Sequence, residues 1–410
     1  MSTPRLLPLI LIVGSLASSA CAQEVGDEVV VASDNAVLQS KKDPKGTVAK
    51  GELLTVQKVE NDRLLARFAD GKHGTIQGWI KRPDVLALPR ALEALDDELK
   101  RKPTATAYAT RARIWEFQHE HEKAIADYGE AIRLDPKQAR FYSQRSIPLF
   151  HKRRYDQSIS DSTEAIRLDP TLTTAYVERA FGWRATGDFE KAFADCDKAI
   201  QLNSSFAPAH TARAAVHTTR REYALAIDEC TEAIRIDPSF AMAYAGRGYD
   251  WYLQRDYAKA LADFEAAIKL APKTAQWYIG RAWCHSVAEE FDESLADLDT
   301  AVRLGPNDFP PLLSRAALRA TCPYAKYRDG KRSLKDAKKA CELTDWKDIN
   351  CLSVFAAAYA ESGDFLNAVK WQETALELVP EKDRQQQSVL RYRLNLYKSH
   401  QPYHEKPQGS

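Results

Sequence analysis

Segments ending in AIRLDP, or a near copy, recur along this chain at a fixed interval of 34 residues. In a chain of 410 residues, that period constrains the fold more than any other feature. One register begins at Ala105 and restarts at Ala139, Thr173, Ala207, Ala241, Ala275 and Phe309. Place 27 of the first six units is always alanine: Ala131, Ala165, Ala199, Ala233, Ala267 and Ala301. Place 8 is small throughout (Ala112, Ser146, Ala180, Ala214, Gly248, Ala282, Ala316), and place 20 is Ala or Ser (Ala124, Ser158, Ala192, Ala226, Ala260, Ser294). Aromatic residues recur at place 4 and place 17, and proline closes most units, as at Pro136, Pro170 and Pro238.

Places 4, 8 and 11, then 20, 24 and 27, step by three and four, so each set lies on one face of a helix. Each unit therefore reads as two helices joined by a turn near place 15. Small residues at places 8, 20 and 27 let the helices approach closely, while the aromatic at place 17 fills the space near the turn. Proline stops the second helix because it lacks the N–H that would continue the ladder. A second pattern accompanies the first. Place 7 is Arg in seven consecutive units (Arg111, Arg145, Arg179, Arg213, Arg247, Arg281, Arg315), and place 23 is acidic in six (Asp127, Asp161, Asp195, Glu229, Asp263, Asp297). In an antiparallel pair these two places stand at the same height. A ladder of ion pairs is expected, within units or between neighbours, in preference to a basic stripe for an anionic ligand.

The period and the small/aromatic pattern resemble the tetratricopeptide repeat. The resemblance implies a right-handed superhelix of antiparallel helix pairs, about eight in number, whose ligands lie in a groove lined by first helices at places 2, 5, 9, 12 and 13. In this sequence those places supply Arg113, Phe117, Phe181, Arg184, Tyr249, Tyr252 and Trp283. They are the candidate binding residues for an extended peptide or an amphipathic helix. The Lys/Asn carboxylate clamp of the family's chaperone adaptors is absent from these places.

The array has irregular ends. Residues 89–104 read as a capping helix, with Pro89 in its first turn and Glu93 where the ladder's acidic member belongs. Six regular units occupy 105–308, and a seventh, 309–348, carries the insertion around RATCPYAKYRDGKRSL, read as a widened turn. An eighth, 349–382, replaces the ladder pair by Phe355 and Trp371. Residues 383–398 read as a final capping helix and 399–410 as a disordered tail. The stretch from the insertion through the eighth unit resembles a block found at the C-terminal end of many bacterial tetratricopeptide proteins.

Residues 25–88 have another character: short β-rich runs separated by turns such as KKDPKG and ADGKHG. The ending GWIKRPDVLAL resembles bacterial Src-homology-3-like domains, which implies a small all-β barrel and binding of cell-wall peptides or proteins. Trp79 is a groove residue on that view and a core or rim residue otherwise. Residues 1–22 read as a signal peptide cut before Gln23, with lipid modification at Cys21 as the alternative. An extracytoplasmic (periplasmic or secreted) chain without a transmembrane segment is therefore expected. That setting permits a Cys322–Cys341 bond, although two buried thiols fit the placement of Cys341 along its helix better.

Basic and acidic residues nearly cancel, 58 against 57, which argues against a nucleic-acid partner. The pair His119 and His121 in HEHEK are two apart and share no helical face, so they read as a solvated turn and not a metal site. No catalytic constellation is legible, and no cofactor or metal is expected. The expectation is a non-catalytic interaction scaffold; the alternative is a cell-envelope protein that binds wall peptide through the β domain.

Overall fold

The computed structural model describes residues 28–31, 37–38, 46–47, 53–60, 63–70, 74–81, 85–380 and 383–407. The expected signal peptide, Cys21, and the side chain of Trp79 lie outside the described residues. The chain divides into two compact units, Met1–Asp250 and Trp251–Ser410.

The first unit opens with strands β1 (Glu28–Val31), β2 (Val37–Leu38), β3 (Gly46–Thr47), β4 (Leu53–Glu60), β5 (Arg63–Asp70), β6 (Gly74–Lys81) and β7 (Val85–Ala87). Five pair in the antiparallel order β6-β5-β4-β1-β7, and β2 pairs with β3. Val31, Leu54, Ile80 and Val85 are buried, one from each of four strands. Strand β7 runs directly into α1 (Leu88–Arg101), whose first turn holds Pro89. The buried stripe Leu88, Ala91, Leu95 and Leu99 packs on Ala107 and Ile114 of α2 (Ala105–Phe117).

From α2 onward the chain is a mainly α solenoid. First helices are α2, α4 (Ala139–His151), α6 (Thr173–Thr186), α8 (Ala207–Thr219), α10 (Ala241–Leu253), α12 (Ala275–Val287) and α14 (Phe309–Thr321). Second helices are α3 (His121–Leu134), α5 (Tyr155–Leu168), α7 (Phe189–Leu202), α9 (Tyr223–Ile236), α11 (Tyr257–Leu270) and α13 (Phe291–Leu304). The alanines at place 27 are all fully buried between helices. Where place 20 is Ser, its hydroxyl donates to the carbonyl of place 8: Ser158 to Ser146 at 2.8 Å and Ser294 to Ala282 at 2.9 Å. A buried hydroxyl is thereby tolerated at a contact built for alanine.

The turn between paired helices places the residue at place 15 in the left-handed region. Gly187 supplies it at φ 87° and Gly363 at φ 82°, but His119, Arg153, Arg221, Arg255 and Glu289 stand there at φ 57–66°. An L side chain in that region costs about 1–2 kcal/mol, so five of these turns hold strain that packing overrides.

The place-7 arginines form the expected ladder, and each uses more of its guanidinium than a simple pair would. Nε and Nη2 of Arg145 donate in parallel to the two oxygens of Asp161 at 2.7 and 2.8 Å. Arg111–Asp127, Arg179–Asp195, Arg281–Asp297 and Arg315–Asp336 repeat this fork. Nη1 then reaches back to place 25 of the preceding unit: Arg179 to Thr163, Arg213 to Asp197, Arg247 to Thr231, Arg315 to Asp299. The contacts are both within and between units. For Arg145 the corresponding place is Gly129, which has no side chain to offer. The guanidinium face of Arg145 lies over Tyr142, and those of Arg111, Arg179, Arg247 and Arg281 lie over Tyr108, Tyr176, Tyr244 and Tyr278, all at 5.6–6.0 Å. One expectation needs correcting. Glu93 is exposed, and Asp96 of α1 receives Nη1 of Arg111 at 2.7 Å, because α1 is displaced by about one residue from the register of the regular second helices.

In the second unit, residues 322–329 replace the ordinary turn. A short 3-10 turn (Ala325–Tyr327) leads into α15 (Gly330–Leu343), capped by Asp329. Tyr324 and Tyr327 flank Phe291 and donate to Glu289 and Asp292 on the preceding helix pair, while Arg328 donates to Glu361 of α16 (Ile349–Glu361). The insertion is thus tied to the units on both sides. In the eighth unit, α16 and α17 (Phe365–Glu377), Phe355 and Trp371 join Trp346 in an aromatic cluster that takes the place of the ion pair. Cys322 and Cys341 are separate buried thiols; the sulfur beside Cys341 belongs to Cys351, and the two are hydrogen-bonded. Helix α18 (Arg384–Lys398) closes the array, with buried Gln372 bridging Ser353 and the Leu390 carbonyl. The tail expected to be disordered after residue 399 is instead laid against this unit through Pro407, because Thr321 and Glu361 hydrogen-bond it.

Arg145→Ala strands Asp161 buried and unpaired, and is expected to lower unfolding stability by about 2–3 kcal/mol. Arg145→Lys, which cannot make the fork, should recover only part of that loss in thermal melts. Conversely, Arg221→Gly relieves the left-handed strain and should raise stability by about 1 kcal/mol in the same assay.

Candidate functional site

The face formed by first helices is where side chains are free of the ladder, and it differs between the two units. In the first, Phe117 at the end of α2 is 46% exposed. Arg113, one turn earlier, lies close enough to Glu116 to favour its ionised form. Phe181 and Arg184 of α6 come together: the guanidinium stands 5.7 Å over the Phe181 ring, and the Phe150 ring is tilted against Phe181 with centroids 6.3 Å apart. Arg184 Nη1 donates to Thr219 Oγ1 at 3.2 Å, its Nε is buried without a partner, and burial pulls its pKa down. Tyr249 of α10 is 39% exposed. Of these five residues, Phe181 and Arg184 are brought into contact.

Three carboxylates share this face. Glu178 of α6 accepts from Ser143 Oγ at 2.5 Å and Ser146 Oγ at 3.2 Å, both on α4. Burial drives its pKa up to about 8, and Glu116 adds to the rise. Glu116 is pushed up to about 7 by burial, against the opposing pull of Arg113 and its bond to Tyr128. Asp250, bonded to Thr218 Oγ1 at 2.7 Å, is likewise raised to about 7 by burial. The periodic pattern does not single them out. The one signal is negative: Glu178 has no basic residue three or four positions away on its own helix.

In the second unit, Tyr252 and Trp283 are brought together, ring centroids 5.8 Å apart, with Tyr257 against Tyr252 at 5.5 Å. They line a cavity of about 390 Å³ along with Ser286, Ser314 and Ala317 from α12 and α14. Its walls are aromatic and aliphatic with scattered hydroxyls, suited to gripping a side chain or a short stretch of peptide. Only His119 stands in the exposed turn; His121 is the half-buried first residue of α3 and stacks at 4.8 Å on His151, the last residue of α4, so the expected solvated turn holds for His119 alone. Burial and the neighbouring imidazoles hold His121 down to about 4. Among the described residues no group of three or more His, Cys, Asp or Glu is arranged to hold a metal ion.

Residues 105–138 and 249–309 match two profiles described as tetratricopeptide repeat. The chain carries tetratricopeptide repeats. No curated protein matches the sequence. Among solved structures, a tetratricopeptide repeat protein from Parabacteroides merdae ATCC 43184 is 19% identical, with a TM-score of 0.45, over 53% of this chain and 87% of that one. The APC/C hetero-tetramer Cut9–Hcn1 gives 15% identity and a TM-score of 0.56, over 76% of this chain and 59% of that one. A monomeric mutant of IFIT1 with Gppp-AAAA gives 13% and 0.51, over 70% and 76%. At these identities the last two likenesses concern the fold alone. Tetratricopeptide repeats form scaffolds that bind protein partners. No helix among the described residues is long and apolar enough to cross a membrane.

The raised carboxylates make the repeats of the first unit sensitive to pH. A buried acid whose folded pKa exceeds its unfolded value binds more protons when folded, so stability falls as pH rises through that interval. The imidazoles of His121 and His151, held neutral by burial, act oppositely but only below their unfolded pKa near 6.5. Between pH 6.5 and 8.5 the acids therefore dominate, and the thermal midpoint is expected to drop by a few degrees (order of magnitude) over that window. Glu178→Gln should flatten the slope; an unchanged slope in this variant would show that Glu178 does not titrate there.

Proposed function

We propose that this chain is a non-catalytic scaffold that binds an extended peptide or helix of a protein partner on the face lined by its first helices. The observation that carries this reading is the cavity of about 390 Å³ beside the Tyr252–Trp283 pair. Paired aromatics at a half-open cavity supply large contact area with little side-chain entropy to lose, the hallmark of residues that dominate binding energy. The Phe181–Arg184 group of the first unit is a second contact of the same kind on its own unit.

We place the working site outside the cytoplasm, after removal of residues 1–22, with a lipid anchor on Cys21 as the alternative. On this reading the segment 25–88 is a Src-homology-3-like module, followed by a cap at 89–104, six regular units over 105–308, the modified units 309–348 and 349–382, and a cap at 383–398. A second reading, capture of cell-wall peptide by the β module, is favoured by one feature: β6, which carries the Gly78-Trp79-Ile80 segment, is an edge strand of the five-stranded sheet. An edge strand can add a peptide as a further strand.

Crosslinking with mass spectrometry on intact cells identifies the partners. In a Tyr252→Ala/Trp283→Ala chain, capture of the main protein partner is expected to fall at least about tenfold. Undiminished capture by this variant would contradict the site assignment. Capture of wall peptide in its place supports the second reading.

A further inference from the structure

Beyond α18 the described residues have no regular structure, yet residues 401–407 are held against the second unit along their length. His400 stacks on Phe365 at 5.3 Å where the segment begins. The Tyr403 ring lies under the Arg393 guanidinium at 4.4 Å and packs onto the alanine-rich cluster of α16 and α17. His404 Nε2 is 2.7 Å from a carboxylate oxygen of Glu361 at the end of α16. The backbone N–H of Glu405 donates to the Thr321 carbonyl at 2.7 Å, and buried Thr321 Oγ1 donates to the Glu405 carboxylate at 3.3 Å. Lys406 and Pro407 then form part of the wall of the cavity that Tyr252 and Trp283 line. The segment crosses the ends of α14 and α16 and finishes on the first-helix face.

These contacts follow the pattern of extended-peptide recognition: a main-chain hydrogen bond sets the register, and successive side chains meet different chemical environments. Tyr403 and His404 are half-buried, while Glu405, Lys406 and Pro407 stay exposed. Three exposed residues at the cavity are a shallow hold compared with the helix packing elsewhere. What keeps the segment in place is its attachment to α18, which gives it an effective concentration of about millimolar order.

We propose that Gln401–Pro407 is a built-in ligand of the groove in residues 251–410, and that the external partner is an extended peptide of the same chemistry. That chemistry is an aromatic side chain to lie under Arg393, a hydrogen-bond donor for Glu361, then a carboxylate to accept from Thr321, followed by a short turn toward the Tyr252–Trp283 cavity. The inference rests on the groove reading and narrows it to a peptide class. The tail competes with that peptide, so the full chain binds it weakly until the tail is released.

The test uses the full chain and a fluorescein-labelled synthetic peptide of residues 401–410. A Tyr403→Ala/Glu405→Ala chain, whose tail is unlatched, is expected to bind this probe at least about tenfold more tightly than the unaltered chain. A probe carrying the same two substitutions should bind neither. Equal binding by both chains, or none by the unlatched chain with its helical spectrum and melt intact, overturns the proposal. Should the double variant unfold, Glu405→Gln alone is read in the same titration against the same two outcomes. If the probe fails while Tyr252→Ala/Trp283→Ala still abolishes partner capture, the groove stands and only the tail's role is lost.

Discussion

A single guanidinium geometry organises the repeats. Arg179 shows it in full: it clasps Asp195 of its own unit with Nε and Nη2, extends Nη1 to Thr163 of the unit before, and lays its face over Tyr176 three residues earlier. The tyrosine in turn donates to the carbonyl of the proline that closes the preceding unit, as Tyr176 does to Pro170 at 3.2 Å. One side chain therefore fixes the height of the second helix against the first and the spacing of consecutive units. A lysine offers neither the fork nor the flat face. The small residues at places 8, 20 and 27 complete the arrangement, since the fork closes only if the helices approach within the reach of an aspartate. Where glutamate replaces aspartate, at Glu229, the longer arm shares its oxygens between Arg213 and His210, and Arg213 Nε is left buried without a partner.

This use of the arginines decides what the surface can do. Their charge is spent on the ladder and not on a basic stripe for an anionic ligand, and the proposed binding face draws on places 9, 12 and 13 of the first helices. Those places are occupied differently in the two units: Phe and Arg among raised carboxylates in one, Tyr and Trp beside a cavity and a chain terminus in the other. The last repeat pair departs from the ladder altogether. Phe355, Trp371 and Trp346 stack where a charge pair would stand, and they adjoin the segment that the tail covers.

Much of this was legible in the sequence, and the exceptions share a cause. Period, helix pairing and ladder partners are local or periodic properties, repeated six or seven times, and repetition averages out the ambiguity of any one segment. The Asp96 contact was misplaced to Glu93 because α1 stands outside the repeat and keeps no strict register with it. The left-handed residue at place 15 was not legible either: only Gly187 and Gly363 announce it, while Arg and His occupy the same conformation elsewhere. Glu178, the Cys341–Cys351 neighbours and the docked tail are products of tertiary placement. The tail's composition, polar with two prolines, reads as loose chain, and nothing local reveals that Thr321 and Glu361 wait for it some forty to eighty residues upstream.

Coupling between units through the place-7 arginine is tested most directly by native-state hydrogen–deuterium exchange on Arg213→Ala, with Arg145→Ala as the internal contrast. Arg213 Nη1 holds Asp197 of the preceding second helix at 2.7 Å, whereas Arg145 faces Gly129. Loss of Arg213 is expected to speed exchange in α7 as well as in α8 and α9, while loss of Arg145 should speed α4 and α5 and leave α3 protected. Equal effects on the preceding helix in both variants, or none in either, would contradict the view that the ladder ties one unit to the next.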